Sequence, residues 1–162
     1  MTSGIRYDMV MADGERRTDY VDAIVKNHVS GQLKVAPEHT SDRVLELMGK
    51  PGSDILLEFR DLFNDSNAEF GKKQFLTYYL MAAHPGCTQS DMEHLGRFCR
   101  NRLNTNPEQV QIFTPTPSTV STMMYFTGKT MDGGPVFVER SESGKQAQKD
   151  AVVKRKDRFE RR

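Results

Sequence analysis

The chain lacks most of what would make its function easy to read. It has only two cysteines, Cys87 and Cys99, in 162 residues. Two cysteines cannot build a disulfide framework, so the fold is expected to rest on its core in a reducing setting. No apolar run approaches the ~18 residues of a membrane span. The opening MTSGIRYD lacks the basic and apolar regions of a signal peptide, and together with the scarce cysteines this points to the cytoplasm. There is no P-loop, no GxSxG, no HExxH and no GxGxxG, which sets aside the common phosphate-binding and hydrolase motifs. A zinc site would need further Cys or His ligands near Cys87, and Cys99 falls on the apolar side of a helical segment.

What is present is ordinary soluble material with an uneven charge. Hydrophobic residues make up 36% and charged residues 28%, with a formal net charge of +1. Residues 139–162 hold nine basic and five acidic residues, a net +4, which leaves 14 basic and 17 acidic elsewhere, a net −3. A basic tail of this kind can touch nucleic acid, although a solvated terminus is the commoner outcome.

Along the chain, strand and helix patterns alternate. IRYDMVM (5–11) reads as a strand. Val21, Ile24, Val25 and His28 recur at helical spacing, with Thr18 as a candidate N-cap and Gly31 as a stop. QLKVA (32–36) is the next strand. Val44, Leu45, Leu47 and Met48 mark a short helix. Ser53 opens a longer one, with Ile55, Phe59, Leu62 and Phe63 expected on one face. QFLTYYLMA (74–82) is apolar on both faces, as in a buried parallel strand. Ser90 and Glu93 suggest a capping box. Met92, Leu95, Cys99 and Leu103 continue that helix, and VQIFT (110–114) is the fourth strand. A Met-rich helical stretch is expected at 119–125 and a turn with a short extended piece around KTMDGGPVFV. The segment 141–162 has few apolar residues, among them Ala151, Val152, Val153 and Phe159, and reads as a loosely packed helix or a disordered tail.

Crossovers longer than a dozen residues require parallel strands and right-handed connections. The expected fold class is therefore α/β, a partial TIM-like (β/α) barrel of about four parallel strands over residues 1–140, followed by the tail 141–162. Polar residues collect just after the strands: Asp13, Glu38 and His39, His84 to Cys87, and Thr114 to Thr116. The carboxyl ends of parallel strands are where such folds place their sites. Glu38 and His39 are neighbours on an extended segment and point to opposite sides, so they do not make one acid–base pair. His39 reads first as a packing residue and Glu38 as the one facing a site. Cys87, ahead of a helix, has the setting of a reactive thiol and equally that of a small residue in a tight turn.

The strings SGIRYD, HVSGQLKVAPEHTSD, LMGKPG, HPGCT and PEQVQIFTPTPST resemble the YgiQ-type proteins of the radical S-adenosylmethionine (SAM) family, from about Ser3 to about Arg140. Within that resemblance, 33–51 is similar to the fifth barrel strand and its helix, 78–98 to the sixth, and 110–128 to the seventh. The family carries a CxxxCxxC loop holding a 4Fe–4S cluster that cleaves SAM to a 5′-deoxyadenosyl radical. No CxxxCxxC occurs here. The resemblance therefore implies the carboxyl-terminal half of a radical SAM barrel, inactive by itself. Its partner would be the amino-terminal half, in the same chain or a split one. It also implies site residues. Glu38 falls where many members have a SAM-contacting Gln, and Lys50 where many have an Arg near the SAM carboxylate. Met81, Ala82 and Ala83 resemble the segment against the adenine, with Val35, Ala36 and Asp13 as neighbours. His39, His84, Cys87, Thr114 and Thr116 would face a substrate. A half barrel would also leave open sheet edges, hence self-association. The alternatives are a non-catalytic α/β interaction module and nucleic-acid binding through the tail.

Overall fold

Tyr7 and Met11 are four residues apart, a spacing that puts both on one face of a helix. In the computed structural model, which describes residues 5–153, that is what they do: helix α1 spans Tyr7–Ala12 and buries both. The strand expected at 5–11 is thus a correction. Only Ile5 keeps strand character, its N–H donating to the Lys34 carbonyl at 3.0 Å in a parallel bridge to Val35. Helix α2 (Arg17–Asn27) buries Val21, Ile24 and Val25 as the spacing requires. Thr18 lies inside it rather than capping it.

Strand β1 (Gln32–Glu38) alternates cleanly, with Leu33, Val35 and Pro37 buried. Helix α3 (Asp42–Leu47) follows Ser41, and helix α4 (Ser53–Glu69) starts at the expected residue. The buried face of α4 is Leu56, Leu57, Phe59, Phe63, Ser66 and Asn67, rotated from the expected stripe so that Ile55 and Leu62 sit at its margin. Phe59 and Phe63 stack at 6.5 Å, and the Tyr7 ring lies 5.8 Å from Phe59. Fully burying an aromatic of this size contributes about 1.5–3 kcal/mol, so this cluster anchors α1 to α4.

Strand β2 (Phe75–Ala82) pairs with β1 in parallel, in register from Gln32 with Phe75 to Val35 with Tyr78. The next partners are Glu38 and Leu80, three steps on β1 against two on β2, so β1 bulges at its carboxyl end. Pro37, which has no N–H to give a ladder, sits in that bulge. The end of β2 pairs Met81 and Ala82 with strand β3 (Gln111–Ile112), again in parallel. The fold class is accordingly α/β, a three-stranded parallel sheet of order β1-β2-β3 alternating with helices, as in part of a β/α fold. Of the four expected strands the described residues form three, the first segment being α1 instead.

The chain divides into two compact units, one ending at Leu80 and the other beginning at Met81. In the second, helix α5 (Gln89–Asn101) is capped by Thr88 and Asp91, each side chain accepting the other's backbone N–H. The capping box lies two residues before the expected Ser90 and Glu93. Helix α6 (Val120–Thr127) is capped by Thr119, and helix α7 (Glu142–Val152) by Ser141. Sparse apolar content suggested loose packing for this last helix. Instead α7 packs on α5 with Val152 and Gln148 buried. Residues 154–162, with Phe159 and most of the basic charge of the tail, lie outside the described residues. No helix among the described residues is long and apolar enough to cross a membrane.

Candidate binding groups at the strand ends

In the first unit, the exit of β1 is built from a strained residue and a long lysine. Glu38 has φ 65°, in the left-handed region that costs a non-glycine residue about 1–3 kcal/mol. Lys50, just past α3, reaches back and donates from Nζ to the Ala36 carbonyl at 2.7 Å. The same nitrogen pairs with Glu38 Oε1 at 3.1 Å. Gly49, at φ 66°, supplies the turn that aims Lys50 at the strand. The Glu38 carboxylate is 25% exposed and the Lys50 side chain 12% exposed, so the pair is half-buried and keeps a solvent-facing side.

Its surroundings are charged in a way the sequence did not reveal. Asp8 accepts from Arg6 Nε at 2.8 Å and Nη2 at 2.6 Å, and that bond holds its carboxyl below the usual carboxylate range, with Lys50 adding to the effect. Burial pushes the Tyr7 phenol up to about 12, reinforced by the negative charges of Asp8 and Glu38. Asp13, the residue proposed from sequence, instead sits exposed at the end of α1. Val35 is fully buried in β1, and Ala36 takes part through its carbonyl.

His39 is buried. Its Nδ1 accepts the Ser41 N–H at 2.9 Å, which leaves the ring proton of a neutral imidazole on Nε2 and makes His39 the clasp of the β1–α3 turn. Thr40 is also buried, and its Oγ1 has no hydrogen-bond partner among the described residues. This hydroxyl belongs to a residue two positions past Glu38, in the segment between β1 and α3.

In the second unit, the exit of β2 repeats the strain. Ala83 has φ 59° and is buried. Its N–H donates to Gln148 Oε1 at 2.8 Å, and Gln148 Nε2 donates to the Cys87 carbonyl at 3.0 Å. His84 is buried between two partners. Pro85 O can only accept, so Nδ1 donates to it at 2.8 Å and, in the neutral ring, Nε2 accepts the Ser121 hydroxyl at 2.8 Å. The Phe113 ring meets the imidazole edge-on at 5.2 Å. Cys87 is fully buried in the turn, its Sγ 3.7 Å from the Thr88 carbonyl, the setting of a small packed residue. Thr114 and Thr116 are exposed beyond β3, and Thr116 is tied to Thr122 through both its N–H and its carbonyl.

The geometry thus joins Glu38, Lys50 and Ala36 in one unit, and Ala83, Cys87 and His84 in the other. Sequence reasoning missed Tyr7, Asp8, Thr40, Ser121 and Gln148. Tyr7, Asp8 and Thr40 lie within strings quoted above, but nothing in those strings marked them for a role; Ser121 and Gln148 lie on helices α6 and α7, where a polar residue carries no signal of being buried. Among the described residues, no group of three or more His, Cys, Asp or Glu side chains is placed to hold a metal ion.

No protein-family model matches the chain. It is 55% identical over 160 residues to a UPF0313 protein of Fusobacterium nucleatum, covering 98% of this chain and 28% of that protein. A UPF0313 protein of Geobacter sulfurreducens is 47% identical over 154 residues, 94% of this chain and 25% of the relative. One of Methanosarcina mazei is 44% identical over 147 residues, 90% of this chain and 23% of the relative. Almost its whole length is therefore similar to UPF0313 proteins, and it spans about a quarter of the length of these curated relatives.

Proposed function

We propose that this chain supplies the SAM-facing strand ends of a YgiQ-type radical SAM protein, and that it does so as a segment of a polypeptide of UPF0313 length. The observation that carries the reading is the half-buried Glu38–Lys50 pair at the carboxyl end of β1, whose solvent-facing side stays open. A zwitterionic ligand needs both signs of charge at one place. Lys50 offers an ammonium to a carboxylate, and Glu38 accepts from an ammonium or a hydroxyl. Resemblance to the family's motifs over 33–51, 78–98 and 110–128 supports the same assignment.

The residues present fit SAM in part and do not fit the iron–sulfur cluster. A 4Fe–4S centre needs clustered thiolates. Cys87 and Cys99 are both buried, and burial pushes the Cys99 thiol up to about 12. The cluster ligands of the proposed enzyme therefore belong to a part of the protein that bears CxxxCxxC and is not in this chain. Within the chain, Lys50 and Glu38 bind and orient, and the strand exits shape the surface. Anaerobic reconstitution of the full-length protein with iron and sulfide, then reduction, is expected to release 5′-deoxyadenosine from SAM. Reconstituted protein that neither releases 5′-deoxyadenosine nor binds SAM would overturn the proposal.

A further inference from the structure

We infer that Gln148 of α7 is a positioning residue for the β2 exit, the strand end of the second unit to which the function proposed above assigns a SAM contact; this rests on that function. The turn 83–87 leaves β2 through Ala83 in a conformation that an alanine rarely adopts. Such a backbone persists only where its surroundings over-determine it. Three downstream contacts do so. Gln148 receives the Ala83 N–H and donates to the Cys87 carbonyl, spanning both ends of the turn with one amide. Ser121 binds the His84 ring. The Gly86 N–H donates to the Phe137 carbonyl at 2.7 Å.

Gln148 holds the decisive position. It is 2% exposed, and both halves of its amide are used on main chain rather than on other side chains. A buried amide with two such partners selects one backbone shape and gives no support to a relaxed one. The close seating of α7 is itself specified by Gly96 on α5. A Cβ there would come 2.9 Å from the Ala151 carbonyl oxygen, so only glycine admits the α7 backbone at this distance. Gly96 sets the helix down and Gln148 reads out the turn.

Two variants test this, each by SAM affinity and by amide hydrogen exchange. Gln148→Leu removes both bonds at nearly constant volume, and Gly96→Ala displaces α7 while keeping Gln148. Losing a buried amide bond is expected to speed exchange at Ala83 by about ten- to a hundredfold. Amides of α5 should stay protected in Gln148→Leu, which separates a loosened turn from an unfolded unit. SAM is expected to bind the full-length variants about tenfold more weakly, with Gln148→Glu partly restoring affinity because its carboxylate still accepts from Ala83. Exchange that rises at Ala83 while SAM affinity stays within about twofold would overturn the inference and leave the proposed function standing. Exchange unchanged in Gln148→Leu would overturn it as well. Wild-type protein that binds no SAM would instead overturn the proposed function, with the exchange data still reporting whether Gln148 holds the turn.

Discussion

Lys50→Met removes one ammonium from a site where it has two jobs, and the structure sets the size of the loss. The ion pair to Glu38 is 3.1 Å long. With an effective dielectric constant of about 20, the Coulomb term is about 5 kcal/mol before desolvation. Exposures of 12% and 25% put the pair between a surface bridge, worth about 0–1 kcal/mol, and a buried one, whose breaking costs about 3–5 kcal/mol. The bond to the Ala36 carbonyl comes from a charged donor and contributes about 1.5–3 kcal/mol of its own. Water can reach the vacated carbonyl and offset part of this. The expected net loss is about 2 kcal/mol, which for a chain of this size lowers Tm by about 4–8 °C. Thermal melting followed by circular dichroism measures it. Glu38→Gln removes the stranded carboxylate, so the double variant Glu38→Gln/Lys50→Met should be more stable than the two single losses added, with a coupling of about 1 kcal/mol. A Tm within about 1 °C of wild type in Lys50→Met, with no coupling to Glu38→Gln, would refute the view that Lys50 clamps the β1 exit.

The Tyr7 phenol is raised from 10.0 to about 12, chiefly by burial. A group raised on folding contributes its stability below its unfolded value and loses it as pH climbs. Stability should therefore fall between pH 10.0 and about 12 in the native protein and less so in Tyr7→Phe, as read by denaturant melts across that range. Both cysteines are buried, so neither should react with a disulfide reagent at neutral pH until denaturant is added. Fast labelling of Cys87 in the native protein would show that the turn 83–87 opens.

Parts of the site were legible because they depend on local chemistry. Glu38 follows an apolar alternation and a proline, a pattern that marks the closing stretch of a strand, and β1 does end at Glu38. His84-Pro85-Gly86 reads as a turn for the same reason. Asp8 was not legible, because IRYDMVM satisfies both a strand pattern and a helical pair at Tyr7 and Met11. Burial of Tyr7 against Phe59 selects the helix, and Phe59 is 52 residues away. The α4 stripe was misplaced by a fraction of a turn, since Leu56 and Ile55 carry equal hydrophobicity and only the packing partner distinguishes them.

The caps expected at Thr18 and Ser90 do not hold, whereas the alternation of strand and helix from Gln32 onward, the parallel pairing of the strands and the start of α4 at Ser53 follow from the sequence alone. Steric limits on φ and ψ, side-chain periodicity and chain length suffice to specify them. What only the tertiary structure decided is the fine shape of the two strand exits. Glu38 and Ala83 adopt left-handed backbone because Lys50 and Gln148 arrive from elsewhere to hold it, in the second case across 65 residues. No local preference favours that conformation for glutamate or alanine. It exists because distant groups make it the lowest-energy arrangement of the whole, and a property that depends on distant partners cannot be read from the residue that displays it.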